Sequence, residues 1–170
     1  METESARMSS AAEARFRVDY PNSKPRVVKV VALDAASERV VKRAAERPWQ
    51  GATFFTSLTF DGTPRGGEGW SIKAWLGDLA GRTKALVEEV QSADLVVMVS
   101  SAGTCAQAAA VIGEACAVRK IMTMALIIGS EQRSNEELSK TLASLRPHAS
   151  MIVVASGDEY IEEMLAALRA

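Results

Sequence analysis

Apolar residues in this chain fall into short unbroken runs, separated by stretches with helical spacing. Arg26–Leu33 (RVVKVVAL) is largely β-branched and reads as a buried strand ending at Asp34. From Ala35 onward, Val40, Val41, Ala44 and Ala45 recur at helical spacing, with Asp34 or Ser37 as the cap and Pro48 beyond the end. Gly51–Phe60 (GATFFTSLTF) reads as a second strand and Asp61–Gly69 (DGTPRGGEG) as the clearest loop, while Trp70–Trp75 has no decisive pattern. Over Lys84–Gln91, Leu86, Val87 and Val90 share one helical face. Leu95–Val99 (LVVMV) is a buried strand that opens onto the small residues Ser100–Thr104, then a helix over Ala106–Val118. Ile121–Ile128 (IMTMALII) stops at Gly129 and Ser130. An amphipathic helix over Glu136–Leu145 precedes Pro147, and Ser150–Val154 and Asp158–Arg169 supply a last strand and helix.

Strands without polar alternation are covered on both faces, as in parallel sheets. The pattern therefore predicts an α/β, three-layer Rossmann-like domain, with a mainly parallel sheet of about five strands and helices on both faces. That single domain spans 25–170. A flexible N-terminal tail over 1–24 is expected, because Glu2, Glu4 and Glu13 interrupt the apolar stretch a secretory signal needs.

Composition narrows the function classes. The 170 residues are 48% hydrophobic but only 5% aromatic, which suits helices packed on an aliphatic sheet. A net charge of −1 offers no electrostatic footprint for nucleic acid or an anionic membrane, and no apolar run approaches the ~20 residues that span a bilayer. Cys105 and Cys116 sit about 16 Å apart if one helix carries both, too far for a disulfide, so a cytoplasmic setting is expected. With His148 as the only histidine and no CxxC, no metal site is expected.

Ligands of open parallel sheets sit beyond the strand C-termini. The candidate binding residues there are Asp34, Ser37, Ser100, Ser101, Gly103 and Thr104. Small residues before a helix start present amide N–H groups and hydroxyls to an anion, although a tight strand-to-helix turn has the same composition. Asp34 suits a ribose hydroxyl, a metal or, most commonly, a helix cap. Asp61–Gly69 lacks the GK[ST] ending of a phosphate loop and reads as a surface loop. Cys105 near a helix start is either a nucleophile or a small buried residue, and His148 after Pro147 fits a turn.

Three collinear segments carry a resemblance. RVVKVVALDAASERVVKRAAERPWQGATFFT (Arg26–Thr56) resembles the first strand, nucleotide loop, first helix and second strand of the FtsZ/tubulin family. SADLVVMVSSAGTCAQAAAVIGEACAVRKIMTMALIIG (Ser92–Gly129) is similar to that family's strand, phosphate loop, helix and next strand. NEELSKTLASLRPHASMIVVASGDEYIEEM resembles the family's next helix, rich in Glu and Leu, and the short strand after it. The family's first loop carries glycines where this chain has Asp34-Ala35-Ala36-Ser37-Glu38, and of its GGGTGTG phosphate loop only Gly103-Thr104 matches. A β-carbon at each lost glycine, and the charges of Asp34 and Glu38, oppose a triphosphate, so GTP is not expected as cofactor. The resemblance does not extend to that family's long central helix, second domain or the acidic loop that completes hydrolysis, so a stripped, degenerate relative is the expectation.

The expectation is a non-catalytic FtsZ-like domain that binds a small anion or nucleotide, or acts through a protein partner, without GTP-driven polymerisation. The alternative is a small α/β enzyme working at the strand C-terminal edge. Homodimerisation through the Ala-rich helix Ala106–Ala117 is a third reading, although its small residues suit burial on the sheet just as well; nucleic acid and membrane partners are not expected.

Overall fold

The computed structural model describes residues 25–57, 75–78, 83–104 and 106–170. The tail over 1–24, the glycine-rich loop 61–69, Trp70 and Cys105 lie outside them.

In chain order the elements are β1 (Val28–Ala32), α1 (Ala35–Ala44), β2 (Ala52–Thr56), β3 (Trp75–Asp78), β4 (Thr83–Ala85), α2 (Leu86–Gln91), β5 (Leu95–Ser101), α3 (Gln107–Arg119), β6 (Met122–Ile128), α4 (Asn135–Leu145), β7 (Met151–Val154) and α5 (Tyr160–Leu168). The strands form one sheet in the order β4-β3-β2-β1-β5-β6-β7. From β2 to β7 every neighbouring pair is parallel, whereas β3 runs antiparallel to β2 and β4 antiparallel to β3. This is the expected α/β Rossmann-like arrangement with five parallel strands. The antiparallel pair at one edge has no counterpart in the sequence pattern, since four- and three-residue strands carry too little periodicity to stand out.

Counting the parallel strands alone, the order is 2-1-3-4-5, a common doubly wound arrangement whose switch point lies between the first and third strands, here β1 and β5. Two cores explain the unbroken apolar runs. Val28, Val30 and Ala32 pack with Val40, Val41 and Ala44 of α1 and Ile161, Met164 and Leu165 of α5. Val31, Met98 and Ile127 point the other way, onto Leu86 of α2, Ile112 of α3 and Leu145 of α4. Alternation with period two is present, but both faces are apolar, so it leaves no polar signature. Lys29 is the exception. It is 7% exposed, sits 5.7 Å over the Phe55 ring and pairs with Glu89 at 2.9 Å.

Two boundaries move in ways that matter. β5 continues to Ser101 because Ser100 and Ser101 stay in register with Ile127 and Ile128 of β6. The helix read from Lys84 begins only at Leu86, since Thr83–Ala85 pairs with β3. No helix among the described residues is long and apolar enough to cross a membrane.

Candidate functional site

The exits of β1 and β5 lie side by side, because Val28–Ala32 pairs in register with Leu95–Val99. That adjacency brings Asp34, Ser37, Ser100, Ser101 and Thr104 together, although they come from two distant stretches of chain. Asp34 caps α1. Its Oδ1 accepts from the amides of Ala36 (3.1 Å) and Ser37 (2.9 Å), while the Ser37 hydroxyl accepts from the Asp34 amide and donates to its carbonyl. Asp34 is the cap, and Ser37 closes the capping box.

The same carboxylate also reaches across to β5. Oδ1 accepts from the Ser101 hydroxyl at 2.8 Å, and Oδ2 from the Ser101 amide at 2.8 Å. The hydroxyls of Ser100 and Thr104 stand 3.3 Å from Oδ2. Each hydroxyl has one proton, and Thr104 gives its own to the Ser101 carbonyl at 2.7 Å. Ser100 then shares its proton between Thr104 Oγ1 at 2.9 Å and the carboxylate. Four donors within 3.1 Å therefore hold Asp34 firmly, and the Ser100 hydroxyl adds a longer, shared contact.

Burial alone raises the pKa of Asp34, but the hydrogen bonds from the Ser37 and Ser101 amides and the Ser101 and Ser100 hydroxyls outweigh it. The net shift is downward from 3.8. The group stays ionised at neutral pH.

This geometry corrects the expectation that the amides after Val99 are splayed towards an outside anion. The Ser101 amide goes to Asp34, Ala102 to the Ile128 carbonyl (3.0 Å), Gly103 to Thr141 Oγ1 (2.9 Å) and Thr104 to the Ser101 carbonyl (3.3 Å). Gly103 takes φ +91, a conformation that favours glycine, and Thr141 of α4 fastens the turn by donating to the Thr104 carbonyl at 3.0 Å. Thr141 is fully buried. Helix α3 starts only at Gln107 and has no side-chain cap.

Beside this cluster, on the α1 side of the sheet, lies a half-open cleft of about 520 Å³. Its walls include Arg39 and Arg43 of α1, Ser101 at the end of β5, Gly129 after β6, Arg133 and Asp158. Arg43 pairs with Asp158 at 2.9 Å and Arg133 with Glu137 at 3.2 Å, whereas Arg39 has no ion-pair partner among the described residues. Glu137 is held below the usual carboxylate range, chiefly by the amide and hydroxyl of Ser134 and also by Arg133. Gly129 is left-handed (φ +70), and a β-carbon there would meet nothing within 4 Å.

Of the six candidate residues, only Ser101 lines this cleft. The arginines were missed, yet a signal existed: Arg39 and Arg43 are four apart on a helix capped at the sheet's C-terminal edge, so they share a face. His148 and Cys116 lie elsewhere. His148 precedes β7, at the opposite edge, with its Cβ against Gly113. Cys116 is fully buried in α3, and burial pushes its thiol up to about 11. Among the described residues, no group of three or more His, Cys, Asp and Glu is placed to hold a metal ion.

No protein-family model and no curated protein matches the sequence. Among solved structures, the chain is similar to translation elongation factor SelB from Methanococcus maripaludis in complex with the GTP analogue GppNHp. The TM-score is 0.49 at 11% identity, covering 88% of this chain and 34% of that one. A likeness of that extent assigns neither ligand nor activity to this chain.

Proposed function

We propose that this chain is a non-catalytic binding domain on an FtsZ/tubulin-like scaffold, in which the loop that holds phosphate in that family is closed on the chain's own Asp34. One observation carries the reading: the Asp34 carboxylate accepts from both the amide and the hydroxyl of Ser101 at 2.8 Å, as a bound anion would. A nucleotide phosphate entering this turn has to expel a charged group that also caps α1, and it meets that group's repulsion throughout. The loop thus serves as a rigid wall of the site, and a small anion is left the cleft beside it. The resemblance in Arg26–Thr56 and Ser92–Gly129 supports the scaffold, and the lost glycines agree with the self-occupied turn.

The enzyme alternative is less well supported. Asp34 and Ser101 do meet at this edge, but the carboxylate that would act as base already accepts from the Ala36, Ser37 and Ser101 amides and is held below its usual pKa. The test is titration with GTP–Mg²⁺, followed by calorimetry, phosphate release and amide chemical shifts. The expected result is neither binding at the Ser100–Thr104 turn nor turnover. Saturable GTP binding that moves the Ser101, Gly103 and Thr104 amides contradicts the reading.

A further inference from the structure

We infer that the cleft between α1 and the turn after β6 is a site for a phosphomonoester dianion of sugar or nucleoside size. This rests on the reading above, since it takes the neighbouring turn as closed. Three arginines line the cleft against Asp158, and Glu137 pairs with Arg133 from outside it, which leaves one positive charge in excess, on Arg39, in a chain whose overall charge is −1. That local excess favours an anion. Arginine is the side chain suited to it, because the planar guanidinium fork meets two phosphate oxygens at once, and a weakly hydrated cation loses less on leaving water.

Placement agrees with charge. The cleft lies beyond the C-terminal ends of β5 and β6 and beside the β1/β5 switch point, where open parallel sheets take their ligands. Its volume of about 520 Å³ falls within the range of small-molecule sites. Arg39 reaches it with no ion pair among the described residues to give up, and the absent side chain at Gly129 keeps that wall open. Asp158, already paired to Arg43, supplies an acceptor for hydroxyl groups on the organic part of the ligand. A bare phosphate leaves that acceptor unused; a sugar phosphate engages both ends.

The test uses ribose 5-phosphate as probe, with ribose and inorganic phosphate as controls, followed by amide shifts on the full chain. Saturable shifts at Ser101, Ala102, Gly129 and Arg133 are expected with ribose 5-phosphate, weaker ones with phosphate and none with ribose. The Arg39→Gln/Arg133→Gln double variant is expected to weaken binding by about tenfold or more. Both side chains are exposed, so the variant should fold, and an otherwise unchanged amide spectrum checks it. No saturable shift at millimolar probe, or equal affinity in the double variant, overturns the inference and leaves the closed turn standing. Shifts centred on Gly103 and Thr104, with Asp34 released, instead overturn the closed turn itself.

Discussion

Removing the Asp34 carboxylate should loosen two elements at once, and two substitutions separate them. Asp34→Asn keeps an oxygen for the Ala36 and Ser37 amides, and asparagine is as good an N-cap as aspartate. Its amide nitrogen, however, then faces the Ser101 N–H, donor against donor. Hydrogen bonds to a charged acceptor are each worth about 1.5–3 kcal/mol, so Asp34→Asn is expected to cost about that much. Asp34→Ala loses the cap as well, about a further 0.5–2 kcal/mol. At about 2–4 °C per kcal/mol for a chain of this size, the alanine variant should melt about 4–20 °C lower. Urea unfolding at pH 7, read by circular dichroism, should rank wild type above Asn above Ala. The pH dependence has a definite sign. Because the folded pKa is depressed below 3.8, the stabilisation is complete above that value and is lost as pH falls through the folded pKa. The gap between wild type and Asp34→Asn should therefore shrink below pH 3.8. An Asn variant as stable as wild type at pH 7, or a gap that does not change with pH, refutes the reasoning.

Glu89→Ala leaves the Lys29 ammonium nearly buried and unpaired, and should cost about 2–4 kcal/mol in urea unfolding, whereas Lys29→Met/Glu89→Leu should return to within about 1 kcal/mol of wild type. Gly113→Ala should destabilise by about 1–3 kcal/mol, opposite to the usual helical Gly→Ala gain. Its new β-carbon would stand 2.7 Å from His148 Cβ and 3.1 Å from that residue's backbone, which thermal melts will register. Thr141→Val keeps the shape but strands the Gly103 amide, and should cost about 1–3 kcal/mol, with faster hydrogen exchange at Gly103.

Much of the fold is legible in the sequence because each parallel strand is an apolar run bounded by turn residues, as in Leu95–Val99 or Ile121–Ile128. The β3–β4 pair is not, because its register depends on contact with β2 rather than on any periodicity of its own. The candidate residues stand out as a group, since a strand exit with small polar side chains is visible in sequence. What they do to one another is hidden there: the Asp34–Ser101 bond spans 67 positions and exists only because β1 and β5 pair in register. In sequence, cap for α1 and ligand group at the strand exit are competing roles for Asp34; with the strands paired, one carboxylate caps α1 and accepts from β5 together. Arg133 joins Arg39 and Arg43 in the same way, through the adjacency of α1 and the turn after β6.

The most direct check is a carbon-detected NMR titration of the Asp34 carboxyl, with the Ser101 amide shift followed in the same samples. A turn closed on its own acid predicts a midpoint below 3.8, traced by both nuclei together. A carboxyl that titrates at or above that value while the Ser101 amide stays still contradicts it.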